Sequence, residues 1–341
     1  MGDLIRAFGL RDCLLIWHLE RQGTALDLRS ALLGRRSPLH AAISALLTHS
    51  VNSIYTGVLD EVEGGQHFSG VVQVALRRDL PEWDIVFLAP SLQYSAEAEK
   101  IWYRLLLHVA RAAGERGVQR VYAKLVEDGR AEAIFRKAGY VVYATESVFW
   151  HPGPICAEAT EPLLQPRRAA DEWGMQQLYR RTTPHIVQQA EEFASRDGGF
   201  SLTGLPWHTR DRHYVYEQNG EIVSMLSLAS TGTGHWFRLT VSPEVAHLTD
   251  RLVGDALAVI AGLGSRPVYC AVRTYDSGIQ GPLQERGFRF LADQILMVKH
   301  AVVPVREPAR VLAPGLDQRT GVVPTATVLH THEQQRAGVP R

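Results

Sequence analysis

A chain of 341 residues exceeds the usual size of one hydrophobic core and predicts two domains. Its 36 basic and 36 acidic side chains cancel, so no bulk field draws it to nucleic acid or to an anionic membrane. No apolar run is long enough to span a bilayer, and the three scattered cysteines, Cys13, Cys156 and Cys270, predict a reducing, cytoplasmic setting without disulfides.

In chain order, Leu4 to Phe8 reads as a short strand and Asp12 as the cap of a helix carrying Leu15 and Leu19. A second helix is expected from Ser37-Pro38 to about Leu47, because proline is favoured at the first helical position. Asn52 to Leu59 and Gly70 to Arg77 predict two strands joined through Glu63-Gly64-Gly65-Gln66, a hairpin with a longer loop. Ile85 to Ala89 is an apolar run suited to a strand buried on both faces, and Pro90, which cannot donate to a ladder, ends it. Ser95 is the expected N-cap of the next helix, whose apolar face is Ile101, Leu105 and Val109 with Trp102 and Leu106 beside them. Strand, turn and helix N-terminus in that order make a potential anion site, because the first helical N–H groups are unpaired. Val118 to Val126 predicts a strand, Arg130 to Ala138 a short helix ended by Gly139, and Tyr140 to Trp150 β-structure that closes the unit.

Residues 151–162 read as a linker, and beyond them the order recurs. Asp171 caps a helix through Leu178, and another begins near Thr183-Pro184. Tyr214 to Glu217 and Ile222 to Leu228 flank Asn219-Gly220, the strongest short hairpin signal. Trp236 to Val241 is a strand, Leu248, Leu252, Ala256 and Ile260 a helical stripe, Val268 to Thr274 a strand, and Gly278 to Arg286 a helix. Pro90 aligns with Pro243, Arg120-Val-Tyr-Ala-Lys124 with Pro267-Val-Tyr-Cys-Ala271, and the Phe135 to Tyr140 segment with Leu283 to Phe288. From residue 304 onward, recurrent prolines and the loss of periodicity predict an extended tail.

The loop Gln93-Tyr94-Ser95-Ala96-Glu97-Ala98 resembles the Gln/Arg-x-x-Gly-x-Gly/Ala acetyl-CoA signature of the GNAT superfamily (general-control-related N-acetyltransferases), with Ala96 where glycine is usual. The aromatic-or-Leu-x-x-x-Gly-aromatic endings at Gly139 and Gly287 are also similar to that family's. The resemblance implies an α+β fold (an α/β sandwich) of two tandem GNAT-like domains, 1–150 and 163–303, each a mixed central sheet flanked by helices. It further implies an N-acyltransferase that moves an acetyl group from acetyl-CoA to a small-molecule or protein amine, through the N-terminal domain.

Under that resemblance the backbone of Phe87, Leu88 and Ala89 would hold the thioester. Gln93, Tyr94, Ser95, Ala96 and Ala98 would hold the pyrophosphate. Phe135 stands where the family often has a tyrosine that protonates the leaving thiolate, a function a phenyl ring cannot serve. Glu82 and Asp84 are the candidate general bases, with solvated strand-end charges as the other reading. Ala96 adds a Cβ, and Glu97 and Glu99 add negative charge, where a phosphate would approach. The second loop, Ala246 to Arg251, misses every signature position. A non-catalytic tandem binding or assembly module that has lost the coenzyme is therefore the alternative. No metal, nucleophile-elbow or dinucleotide motif is present, no nucleic-acid or membrane partner is implied, and oligomeric state is not encoded.

Overall fold

A computed structural model describes residues 5–34, 37–48, 54–77, 81–155, 161–191 and 211–301. The expected tail from residue 304 lies outside them, as does part of the expected linker. The N-terminal half runs β1 (Arg6–Ala7), α1 (Cys13–Leu19), β2 (Thr24–Ala25), α2 (Leu28–Leu32), α3 (Pro38–Thr48), β3 (Ile54–Glu63), β4 (Gln66–Leu76), β5 (Glu82–Ala89), α4 (Ala98–Glu115), β6 (Arg120–Val126), α5 (Gly129–Lys137) and β7 (Val141–His151). The C-terminal half runs β8 (Gln165–Pro166), α6 (Glu172–Thr182), α7 (His185–Glu191), β9 (Arg212–Gln218), β10 (Glu221–Ser230), β11 (His235–Val241), α8 (Thr249–Ala261), β12 (Val268–Arg273), α9 (Gln280–Glu285) and β13 (Arg289–His300).

The two halves share one mixed sheet. Its order is β1-β3-β4-β5-β6-β13-β7-β12-β11-β10-β9-β8, with β2 pairing β5 off that path. The last strand of each half thus completes the other half: β13 pairs β6, and β7 pairs β12. The two exchanged strands pair with each other, Gln294 opposite Glu146. Tyr140 to Trp150 was expected to close the N-terminal unit; instead β13 separates β7 from β6. The run Ile295-Leu296-Met297-Val298 is buried throughout, as a central strand covered on both faces requires.

Helices cover both faces. Ile101, Trp102, Leu105, Leu106 and Val109 of α4 pack on Trp83, Ile85 and Leu88, while Leu252, Val253, Ala256 and Ile260 of α8 pack on Phe237 and Leu239. On the other face Ile16, Leu19 and Ala42 meet Phe87 and Ala89, and Met175 and Leu178 meet Val215, Ile222 and Met225. Small elements cross between halves. Leu33, after α2, packs with Trp236, Ala229 and Ala271, and Ala190 of α7 packs with Tyr122 and Val298. Asp12 and Asp171 do not cap α1 and α6 with their side chains; each sits at the end of a short 3-10 turn and accepts the backbone N–H three residues earlier, of Gly9 and Arg168.

Candidate functional site

In the N-terminal half β4 and β5 run antiparallel, and α4 carries the chain across to β6, parallel to β5. The β5–β6 pairing covers only Glu82 to Ile85, opposite Arg120 to Ala123. Val86 is an extra residue in the ladder with β4, between the Val74–Ile85 and Gln73–Phe87 pairs, and such a bulge bends the strand that carries it. Beyond it β5 and β6 part. Into that gap comes β2, antiparallel to β5, with Thr24 opposite Leu88 and Ala25 opposite Phe87. The Leu26 N–H donates to the Val86 carbonyl at 3.1 Å, and the Ser91 N–H donates to the Gln22 carbonyl at 2.6 Å. The approach is close: a Cβ at Gly23 would stand 2.1 Å from Cζ of Phe87. The C-terminal half repeats the arrangement without the plug. β11 pairs β12 only over His235 to Phe237, and among the described residues no strand pairs the rest of that edge.

The expected site residues fall into three groups. Phe87, Leu88 and Ala89 are buried, with Phe87 and Leu88 paired to β2. Gln93, Tyr94 and Ala96 are exposed on the loop, and the Ser95 hydroxyl accepts the Glu97 N–H. The helix therefore starts at Ala98, which is fully buried, and not directly after Ser95. Trp102 fixes the loop's base by donating from Nε1 to the Pro90 carbonyl at 2.7 Å. Phe135 is buried edge-on against Trp102 and Tyr140, with ring centroids 6.4 and 5.0 Å away, so it is a core residue.

Glu82 and Asp84 are neither solvated nor poised as bases. Arg77 grips Asp84 with Nε and Nη2 at 2.7 and 2.8 Å and donates from Nη1 to Glu82 at 2.9 Å. The Tyr122 hydroxyl lies 3.1 Å from the second Glu82 oxygen, and the guanidinium stacks 4.0 Å over the Tyr122 ring. A carboxylate held this way gives up its acceptor capacity to the guanidinium. A groove of about 660 Å³ runs between α4 and α5, bearing Lys100, Arg130 and Lys137. Glu99 at its edge accepts from Arg130 at 2.8 Å, which counters the acidic first turn.

In both halves, then, antiparallel strands lead through a crossover helix to a parallel strand that pairs only at its start. This is the arrangement that the resemblance to tandem GNAT domains implies. No family model matches the chain, and no curated protein matches its sequence. Among solved structures it is similar to a tandem GNAT protein from the clavulanic acid biosynthesis pathway, at 14% identity and a TM-score of 0.49, over 88% of this chain and 99% of that one. It is also similar to a GCN5-related N-acetyltransferase from Sphaerobacter thermophilus (12% identity, TM-score 0.46, 87% and 95% covered). A GNAT-family acetyltransferase from Colwellia psychrerythraea aligns at 9% identity with a TM-score of 0.40, covering 87% and 99%.

Neither half fits acetyl-CoA as it stands. In the first, the β5 edge expected to bind the thioester arm is hydrogen-bonded to Gln22–Leu26. In the second, Ser242-Pro243 opens a 3-10 turn through Leu248, and the segment Ala246 to Arg251 that follows the strand carries none of the signature residues. His235 is buried and held at both ring nitrogens, 2.9 Å from Ser230 Oγ and 3.1 Å from the Gly264 carbonyl. Burial lowers its pKa, only partly offset by that carbonyl.

The C-terminal half holds a polar cluster that no motif announced. Arg238, the first β11 residue past the β12 pairing, donates from Nη2 to Tyr275 Oη at 3.0 Å and to Asp276 at 3.4 Å. Arg273, which ends β12, donates from Nη2 to Glu191 at 3.0 Å and has Nε 3.0 Å from Glu146. The Tyr179 hydroxyl donates to the other Glu191 oxygen at 2.9 Å. Burial alone would push the Glu191 carboxyl up, but Arg273, Arg238 and the Tyr179 hydroxyl outweigh it and hold it below the usual range. Burial pushes the Asp276 carboxyl up despite Arg238. These residues come from β7, α6, α7, β11, β12 and the turn after β12, so only the fold brings them together.

Proposed function

We infer that this protein is a non-catalytic tandem GNAT-fold binding module whose N-terminal coenzyme slot is closed by its own chain. The observation that carries the reading is the antiparallel pairing of β2 with Phe87 and Leu88 on the edge of β5. The ion-paired Glu82 and Asp84 and the buried phenyl of Phe135 support it, because none is available to move a proton. Residence in the cytoplasm accords with the unpaired Cys13 and Cys270, and no helix among the described residues is long and apolar enough to cross a membrane.

Acetyl transfer to a small-molecule or protein amine is the second reading. It is favoured by the shortness of β2, only two residues, and by the basic groove between α4 and α5. Calorimetric titration of the full chain with acetyl-CoA separates the two. The module reading expects no saturable heat; binding of one equivalent would overturn it.

A further inference from the structure

Among the described residues many charged side chains stand in ion pairs. The Arg238–Arg273 cluster is different. Both side chains are more than nine-tenths buried, 8% and 5% exposed. Yet among the described residues Nε of Arg238 and Nη1 of Arg273 have no hydrogen-bond partner, and Nε of Arg273 approaches Glu146 at 3.0 Å without a hydrogen bond. A buried N–H without an acceptor costs the full desolvation penalty of the group, so such donors in one cluster call for an acceptor that the described side chains do not supply. They stand beside the edge of β11 that β12 leaves unpaired, the counterpart of the gap that β2 fills in the other half.

The charges in the cluster restrict what the acceptor belongs to. Two guanidiniums face three carboxylates, Glu146, Glu191 and Asp276. A simple anion would satisfy the donors but deepen the buried negative excess, which low-dielectric surroundings penalise. A cation would ease the charge and leave the donors unmet. A molecule with both groups satisfies the donors without deepening the excess: its carboxylate accepts from the free Arg238 and Arg273 donors, and its ammonium faces Glu191 and Asp276. We propose that the C-terminal half binds a small zwitterionic amino acid between β11 and β12 through Arg238, Arg273, Glu191 and Asp276.

This assignment names the ligand class of the binding module and rests on that reading. Thermal-shift and calorimetric titrations of the full chain with the genetically encoded L-amino acids test it, with acetate and ethylamine as half-ligands. At least one amino acid binds saturably and far better than either half-ligand. Arg238→Met and Glu191→Gln each weaken it by at least about tenfold, the loss expected for one charge-assisted hydrogen bond. Should Arg238→Met fail to fold, Arg238→Lys keeps the charge, removes Nε–H and shows the same loss. Binding of no amino acid, equal binding of a half-ligand, or indifference to these substitutions would overturn the proposal and leave water as the acceptor. An acetyl-CoA heat in the separate titration would sink the module reading alone.

Discussion

At the residue scale, Arg77 determines what Glu82 and Asp84 do. Their position at the start of β5 made them candidate bases, and sequence alone gives no sign that Arg77, across the turn in the chain, would bind both. Arg77→Met leaves two carboxylates in a closed site without their cation and is expected to cost about 3–5 kcal/mol, read as a lowered urea midpoint. An unchanged midpoint would show the triad to be energetically idle. Gly23 is legible only in hindsight. Gly23→Val puts atoms into the Phe87 ring and is expected to lose about 1–3 kcal/mol by overpacking, by the same measurement. His235 gives a pH dependence. Because burial depresses its pKa in the fold, its contribution is fully present above the unfolded value of about 6.5 and is lost as pH falls through the lower folded value. Half-buried His213 shifts the same way. Thermal unfolding followed from pH 7.5 down through that window should show a falling midpoint, and His235→Asn should flatten the slope.

At the element scale, what local chemistry specifies was legible. Asn219 and Gly220 both have positive φ, 53° and 81°, as the dipeptide at a two-residue hairpin turn requires. The β5–loop–α4 unit and the α8 stripe likewise followed from periodicity and proline. β2 and α2 were not foreseen. Two and five residues long, they carry no period to read, and their positions are set by the unpaired edge of β5 and by the far half's surface. The β2–β5 register is checked by a Thr24→Cys/Leu88→Cys pair: residues directly opposite are close enough to cross-link on oxidation, so a disulfide forms in the folded protein. Failure of the two thiols to join under conditions that keep the protein folded would contradict this register.

At the scale of the whole molecule, the duplicated order was visible in sequence but the exchange of last strands was not. Pattern reveals a strand and its faces; which neighbour it pairs depends on edges supplied by distant parts of the chain. Because β13 lies between β6 and β7, neither half has its full complement of strands alone. A protease site placed between residues 155 and 161 should, once cut, leave both fragments eluting together from a sizing column; separation into folded halves would refute the shared sheet. The exchange ties the halves together, and under the proposed reading the closed N-terminal slot leaves no place there for the coenzyme. Amide hydrogen exchange at Leu26 and Ser91 tests that closure most directly, since those two N–H groups donate across the gap to Val86 and Gln22. The account predicts slow exchange at both, unaltered by acetyl-CoA. Rapid exchange at both, in a protein whose β4 and β6 amides remain protected, would contradict it.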